Sequence, residues 1–567
     1  MVKRRKIIIS RLIILIIVIL LLIIGIYFLL FRNPIKKVLV STENGYVSSN
    51  NSIALLYNED FEKIDNISRG TKIKIKKEDI KDVDGNIYYM VISSNNNLIR
   101  KENFTNDDKN IVMEKEMYVR TYATIYKNSD TAEILSTVNK GDKLDIVGYD
   151  KLLDDGSVNK YKISINDTEG YVYGKYLVST KDEALLNYDE AGLYQKHLNC
   201  NDVYDIGTAG NLDFYPVNKP KFENNVMPSE VRALYLNSGV ISNVDKYIEL
   251  AKETDINAFV VDIKDNTAPG YESPVMQKYS PTSYDKAINS FESYKAAIKK
   301  IKDAGLYVIG RITVFKDSYF VTDHPETAII DTSTNKPFLH NGSYWPSAFN
   351  RLVWEYNVEL AKEAITEMGF NEIQFDYVRF PDRTYSYEKN GEISMQNTYG
   401  EEKAQAIQKF LMYAGDEIHN VGAYISADVF GESAHNYVTG YGQYWAAISN
   451  VVDVISAMPY PDHFNAHEYG ISEVVWTVPY KLFKEWGEYV VNRQNSIPTP
   501  AIVRTWIQCY DATKTPKITY DASKIEEQIK GLVDSNLTGG YMTWNAGSSL
   551  SKYESVKSAF KEYVTNE

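Results

Sequence analysis

From residue 231 to its C-terminus the chain alternates strand-like and helical patterns, and this alternation constrains the fold more than any other feature. Strand-like runs stand at 231–237, 258–264, 307–315, 372–380, 423–431, 453–461, 501–510 and 539–546. Helical patterns separate or follow them at 244–254, 284–304, 353–368, 401–420, 441–450, 474–486, 522–535 and 553–564. Strands joined through helices return in the same direction, so the sheet is parallel. Eight such units, several with a glycine at a helix end, predict an α/β fold closed as a (β/α)8 TIM barrel. In that fold the reactive groups come from the C-terminal ends of the strands.

Residues 372–381, EIQFDYVRFP, carry the densest chemical information. Ile373, Phe375 and Tyr377 alternate with Gln374, Asp376 and Val378, the period-2 pattern of a strand with two unlike faces. Gly369 supplies a stop for the preceding helix and Pro381 ends the strand, so Asp376 falls near the C-terminal end of strand four. The same parity test pairs Asp262 with Lys264 on strand two, Arg311 with Thr313 on strand three, Gln374 with Asp376 on strand four and Ser426 with Asp428 on strand five. Four successive strands thus aim polar residues into the barrel, where an unpaired charge is costly. One reading is an ion-paired core in which Lys264 and Arg311 neutralise Asp262 and Asp376; the other makes Asp376 and Asp428 reactive.

Two carboxylates are the minimal kit for cleaving a glycosidic bond, one as proton donor and one as nucleophile or base. Adjacent strands lie roughly 4.8 Å apart, so carboxylates at matching heights approach the roughly 5 to 5.5 Å of retaining enzymes. Asp462, after strand six, is the competing acid, and its greater lateral distance suits inversion; Glu432, in the loop beyond Gly431, is a third candidate. Tyr377, Phe430, Tyr460, Trp506 and Trp544 suit stacking on sugar rings. Arg379, His463, Arg504, Gln508 and Asn545, with Asp262, Lys264 and Arg311, complete the candidate substrate-binding set. No histidine or cysteine stands at metal-ligand spacing, so neither a catalytic metal nor another cofactor is expected.

At the N-terminus a basic tail, residues 1–11, precedes an apolar run at 12–31 long enough to cross a bilayer. The run ends in bulky residues and Arg32 instead of a small-residue cleavage site, which predicts an uncleaved, single-pass cell-membrane anchor. Lys3, Arg4, Arg5, Lys6 and Arg11 outweigh Arg32, Lys36 and Lys37, placing the N-terminus in the cytoplasm and the other domains outside. The net charge of -13, with no basic cluster beyond that tail, argues against a nucleic-acid partner. Cys200 and Cys509 make neither a disulfide framework nor a metal site and are read as unpaired thiols.

Between anchor and barrel lie two short all-β units, 38–106 and 112–180, then a linker, 181–228, expected to pack on the barrel domain at 229–567. In the second unit, residues 169–177, EGYVYGKYL, resemble the end of the bacterial SH3-like domain, with its Gly-aromatic-Val turn and terminal Tyr-Leu pair. The first matches more weakly: Arg69-Gly70-Thr71 fits the glycine turn, but 98–104 lacks the Gly-aromatic step. The resemblance implies cell-wall or peptide contacts; the alternative is a stiff spacer.

The barrel region resembles the glycosyl hydrolase domain family of bacterial surface and secreted proteins. The motifs that carry this are VVDIKD at 260–265, FDYVRFP at 375–381, SADVFG at 426–431, MPYP at 458–461 and GGYMTWN at 539–545. A more distant similarity to the α-amylase superfamily implies a strand-four Asp nucleophile, matched by Asp376, and a strand-five acid that is Glu there and Asp428 here. Gln374 stands where that superfamily has an Arg before the nucleophile. The resemblance implies a glycosidase, and with the N-terminal anchor the reading is a membrane-anchored, outward-facing enzyme acting on an envelope or environmental polysaccharide. Asp376 would be nucleophile or base and Asp428 the acid, with Asp462 in reserve. The alternative from another class is a non-catalytic carbohydrate- or cell-wall-binding scaffold that keeps the barrel and lacks turnover.

Overall fold

The structure, a computed structural model, describes residues 2–31, 41–93, 95–165, 168–185 and 209–563; Cys200 and the middle of the linker lie outside these ranges. The first helix, Val2–Phe31, contains the window Ile9–Tyr27 with mean hydropathy 3.2, long and apolar enough to cross a membrane as a single-pass anchor or a signal sequence. The chain divides into two compact units, Met1–Glu114 with Lys151–Asn159, and Lys115–Asp150 with Lys160–Glu567.

Each unit contains a seven-stranded antiparallel sheet, and the two sheets share one topology: with strands counted in chain order, both run 3-2-6-5-4-1-7. The same turn closes each. Gly70, at φ 82°, donates its N–H to the Val47 carbonyl at 2.9 Å, and Gly141, at φ 85°, donates to Val119 at 2.7 Å. A side chain at that φ would meet its own backbone, so both positions call for glycine. The two β modules are therefore copies of one design.

Within the second unit the small sheet is fastened to the barrel. Tyr413 Oη donates to the Ala132 carbonyl at 2.6 Å, and Glu355 accepts from the Ile134 N–H at 2.7 Å. Tyr173 and Tyr176 donate to Glu417 and Asp416 at 3.2 and 3.1 Å, and Lys175 ion-pairs with Asp416. The buried Lys160 ammonium lies 4.0 Å from the Tyr126 ring centre and 3.8 Å from Glu417, a cation–π contact with a counter-ion behind it.

The barrel strands are β1 (Val231–Leu236), β2 (Ala258–Asp265), β3 (Tyr307–Thr313), β4 (Glu372–Asp376), β5 (Tyr424–Phe430), β6 (Val454–Met458), β7 and β8 (Gly540–Trp544), all parallel. The seventh stave consists of two segments, Ile502–Val503 paired with β6 and Thr505–Gln508 paired with β8, so nine strand segments make a nearly closed barrel with a seam at Arg504. A helix follows each stave, among them Arg351–Glu363, Lys403–Asn420 and Pro479–Gln494. Each expected stave and helix is present, with boundaries moved by local chemistry. β4 ends at Asp376, four residues early, because Tyr377 leaves the extended region at φ 50°. The helix after β6 starts at Pro479, not 474, since a proline's fixed φ suits a first helical turn. Gly369, at φ 81°, closes the helical run before β4, as its sequence position predicted.

Val231, Ala233, Val260, Ile309, Tyr424 and Met542 fill the lumen, and Phe222 and Met227 pack against that cluster. Asn225 donates to the carbonyls of Asn371 and Gly422 at 2.8 and 3.0 Å, holding the linker's end on the barrel.

Candidate active site

β4 delivers Asp376 to the mouth of the barrel and then turns sharply. The Tyr377 N–H donates to Asp376 Oδ1 at 2.6 Å, so the carboxylate caps the left-handed residue that follows it. Oδ2 takes two bonds from Arg311 on β3, from Nε at 3.0 Å and Nη2 at 2.5 Å. The remaining arm, Nη1, donates to Asp262 Oδ1 on β2 at 2.8 Å, and Asp262 Oδ2 accepts from Tyr235 on β1 at 2.5 Å. One guanidinium, 2% exposed, thus bridges two carboxylates, the fork geometry that a lysine could not supply. Burial pushes the Asp262 carboxyl up to about 6, against the pull of Arg311.

The ladder between β4 and β5 pairs Gln374 with Ser426 and Phe375 with Ala427, so the next step along sets Asp376 beside Asp428. Asp428 is 1% exposed; its Oδ1 accepts from Trp506 Nε1 at 2.8 Å, and Oδ2 has no hydrogen-bond partner among the described residues. Burial, with the neighbouring charge of Asp376 added, holds this carboxyl well above the usual carboxylate range. The two acids, alike in sequence, differ in setting: one faces a guanidinium, the other an indole N–H and a desolvated pocket.

Both line a cleft of about 1060 Å³, as do Arg311, Tyr377, Arg379, Tyr460, Asp462, His463, Trp506 and Trp544 from the sequence-derived set. Arg379 lies 4.6 Å from the Phe430 ring centre and 4.9 Å from that of Tyr377, and bonds Asp382 at 3.3 Å. Asp462 faces the cleft with both oxygens occupied. Tyr510 donates to Oδ1 at 2.9 Å, while the Thr513 N–H and hydroxyl donate to Oδ2, each at 2.8 Å. Glu432 likewise holds the hydroxyls of Tyr437 and Tyr441 at 3.0 Å.

Five expected substrate contacts lie outside that lining. Asp262 sits behind Arg311, and Lys264 pairs with the buried Asp317. Arg504 reaches down to Glu372, at 2.7 and 2.9 Å. Gln508 accepts from the Asp462 N–H at 3.3 Å, and Asn545 donates to the Cys509 carbonyl at 2.9 Å. The ion-paired core is therefore real, with one partner other than expected: Lys264 serves Asp317, and Arg311 alone serves both Asp262 and Asp376. Glu372 and Tyr235 were missed, although both share the inward parity and extending the alternation by one step would have found them. Asp317 lies beyond β3, where no periodicity points to it.

The family model described as "Putative glycosyl hydrolase domain" matches residues 233–550. The chain belongs to that family. Both acids and the barrel staves, but for the first two residues of β1, lie within the matched region, and the protein is accordingly a glycosyl hydrolase domain protein. Among solved structures it is similar to a hypothetical protein from Ruminiclostridium thermocellum ATCC 27405, with 35% identity over 35% of this chain and 97% of that one and a TM-score of 0.29. It is also similar to the PgaB (BpsB) glycoside hydrolase domain from Bordetella bronchiseptica, with 13% identity, 59% and 99% coverage and a TM-score of 0.42. A class V chitinase from Pseudomonas fluorescens Pf-5 shows 12% identity, 58% and 99% coverage and a TM-score of 0.36. A comparison with curated proteins returned no match.

Proposed function

We propose that this protein is a membrane-anchored glycoside hydrolase that cleaves a polysaccharide outside the cell with retention, Asp376 acting as nucleophile and Asp428 as acid and then base. The observation that carries the reading is the unequal environment of two neighbouring carboxyls. Arg311 compensates the charge on Asp376, while burial and that same charge keep the proton on Asp428. Adjacent strands at matched register favour the short separation of a retaining pair.

In the first step Asp376 attacks the anomeric carbon as Asp428 gives its proton to the departing glycosidic oxygen, leaving a glycosyl ester on Asp376. The ester carries no charge, so one of the causes that hold up the Asp428 pKa disappears just when Asp428 must act as a base. It then takes a proton from water, whose oxygen attacks the anomeric carbon and frees Asp376. Asp462 is read as a clamp on the loop after β7, its oxygens already committed. The β modules are read as SH3-like cell-wall contacts or as a stiff spacer; in the second, Tyr173, Tyr176 and Lys160 are engaged on the barrel.

The test is release of reducing sugar from envelope polysaccharide and a panel of α- and β-glucans, comparing the detergent-solubilised full chain with Asp376→Asn. Release by the first and a loss of at least about a thousandfold in the second is expected. No release by either, with both retaining the same glycan, favours the binding scaffold instead.

A further inference from the structure

We propose that the wall formed by the loops after β3 and β4 is a carbohydrate-stacking platform that prolongs the cleft and commits the enzyme to the interior of polysaccharide chains; this rests on the hydrolase reading above. Among the described residues from 209 onward, the large apolar side chains left exposed are Val226, Ile288, Leu339, Tyr385, Tyr387, Tyr399 and Ile502. Four of the seven, including every tyrosine among them, stand in these two loops, a concentration that scattered surface residues would not produce.

The wall is regular structure. Ile330–Asp331 pairs with Lys336–Pro337 within the β3 loop and with Ile393–Ser394 of the β4 loop, joining the two in one small sheet. Leu339–His340 pairs with Ser343–Tyr344, turned through Asn341 at φ 49° and Gly342 at φ 75°, the two positive values of a tight hairpin turn. Leu339, 55% exposed, is held outward on that hairpin. Behind it Phe338 stacks on His340 at 6.0 Å and meets Tyr387 at 5.9 Å.

The platform is continuous with the catalytic cleft. Tyr385 lines the cleft beside Asp382 and Arg383, and His340 lies within the electrostatic reach of both. From the same β3 loop, Trp345 packs edge-on against Tyr377, the residue after the nucleophile, at 5.7 Å. Rings that only sealed a wall would be buried, because apolar surface left in water forfeits stabilisation. Partly exposed tyrosines on a fixed support are suited to the C–H faces of pyranose rings. The cleft volume already reaches the upper end of the range for small-molecule sites, and Tyr385 belongs to both its lining and the wall.

The test uses the detergent-solubilised full chain and the double variant Tyr385→Ala/Tyr387→Ala, each also in the Asp376→Asn background. Binding is read by native electrophoresis through gels containing soluble starch, hydroxyethyl cellulose or glycol chitin. Asp376→Asn should be retarded by at least one polymer, and the added double substitution should weaken that retention about tenfold, with thermal unfolding unchanged. In the active chain the double variant should raise KM for the polymer about tenfold more than KM for a short aryl glycoside of the same sugar. Equal retardation with and without the tyrosines, or no retardation of Asp376→Asn in any gel, overturns the platform. Retardation that depends on the tyrosines in a chain that hydrolyses nothing keeps the platform and removes the hydrolase.

Discussion

Replacing Trp506 with phenylalanine deletes a single hydrogen bond while keeping an aromatic ring in the lumen. The indole is 1% exposed and its Nε1 donates to Asp428 Oδ1 at 2.8 Å, a bond worth more to the carboxylate than to the neutral acid. It therefore holds the Asp428 pKa down against burial, and its removal lets the pKa rise. Hydrogen bonds to charged groups are worth about 1.5–3 kcal/mol, and 1.36 kcal/mol corresponds to about one pKa unit, so the shift should be about one to two units upward. Because the proposed mechanism needs Asp428 protonated, the alkaline limb of the kcat/KM profile in Trp506→Phe moves to higher pH by that amount, while the acid limb stays in place. The assay is initial-rate hydrolysis of the best polysaccharide from pH 4 to about 10, with melting curves at each end to show that the barrel is intact. An alkaline limb that does not move, or moves toward acid, in a folded variant would refute the assignment of Asp428 as the acid.

Arg311→Met leaves Asp262 and Asp376 without their shared cation; it should abolish turnover and cost about 3–5 kcal/mol in chemical denaturation, and near-native stability would show that the bridge is dispensable. Asp262 has a folded-state pKa raised to about 6, so its contribution is present below the unfolded value near 3.8 and is lost as pH rises toward 6. Asp262→Asn should accordingly gain stability relative to the parent across that window, on the order of 3 kcal/mol at most, and a difference independent of pH would contradict the shift. Asp462→Asn is expected to keep kcat within about tenfold, whereas Asp428→Asn loses about a hundredfold or more; equal losses would restore Asp462 as a candidate acid. Glu417→Ala strands the buried Lys160 ammonium beneath the second β module, and limited proteolysis should then cut within residues 115–178 well before the barrel is attacked.

The barrel was legible because period-2 and period-3.6 patterns alternate over long segments, and burial on both sheet faces leaves the staves few alternatives. Parity also brought Asp376, Asp428 and Arg311 together, since inward direction is a local property of each strand. It could not say which inward charges meet. Whether Arg311 pairs with Asp262, Asp376 or both depends on the stagger between staves, and that stagger is set by closure of the whole ring. Arg504 and Gln508 have the right parity and the wrong height, so one points to the lumen floor and the other holds a backbone. The similarity to amylases left an Arg missing at Gln374, and the structure supplies a guanidinium to Asp376 from the next stave instead. The wall hairpin was readable only as a long loop, because its strands are two residues each and carry no period.

The break in β7 explains why an arginine stands at 504. The β6 ladder ends where the Arg504 N–H meets the Ile455 carbonyl at 3.0 Å, and the segment bearing Trp506 continues on β8. At that point the side chain crosses the lumen and grips both oxygens of Glu372 at the foot of β4. It works as a tie-rod, bracing from across the hollow interior a stave whose flank has come loose. The indole that steadies the proposed proton donor is borne two residues further along the same segment, so shortening residue 504 would unfasten the piece of chain that carries Trp506.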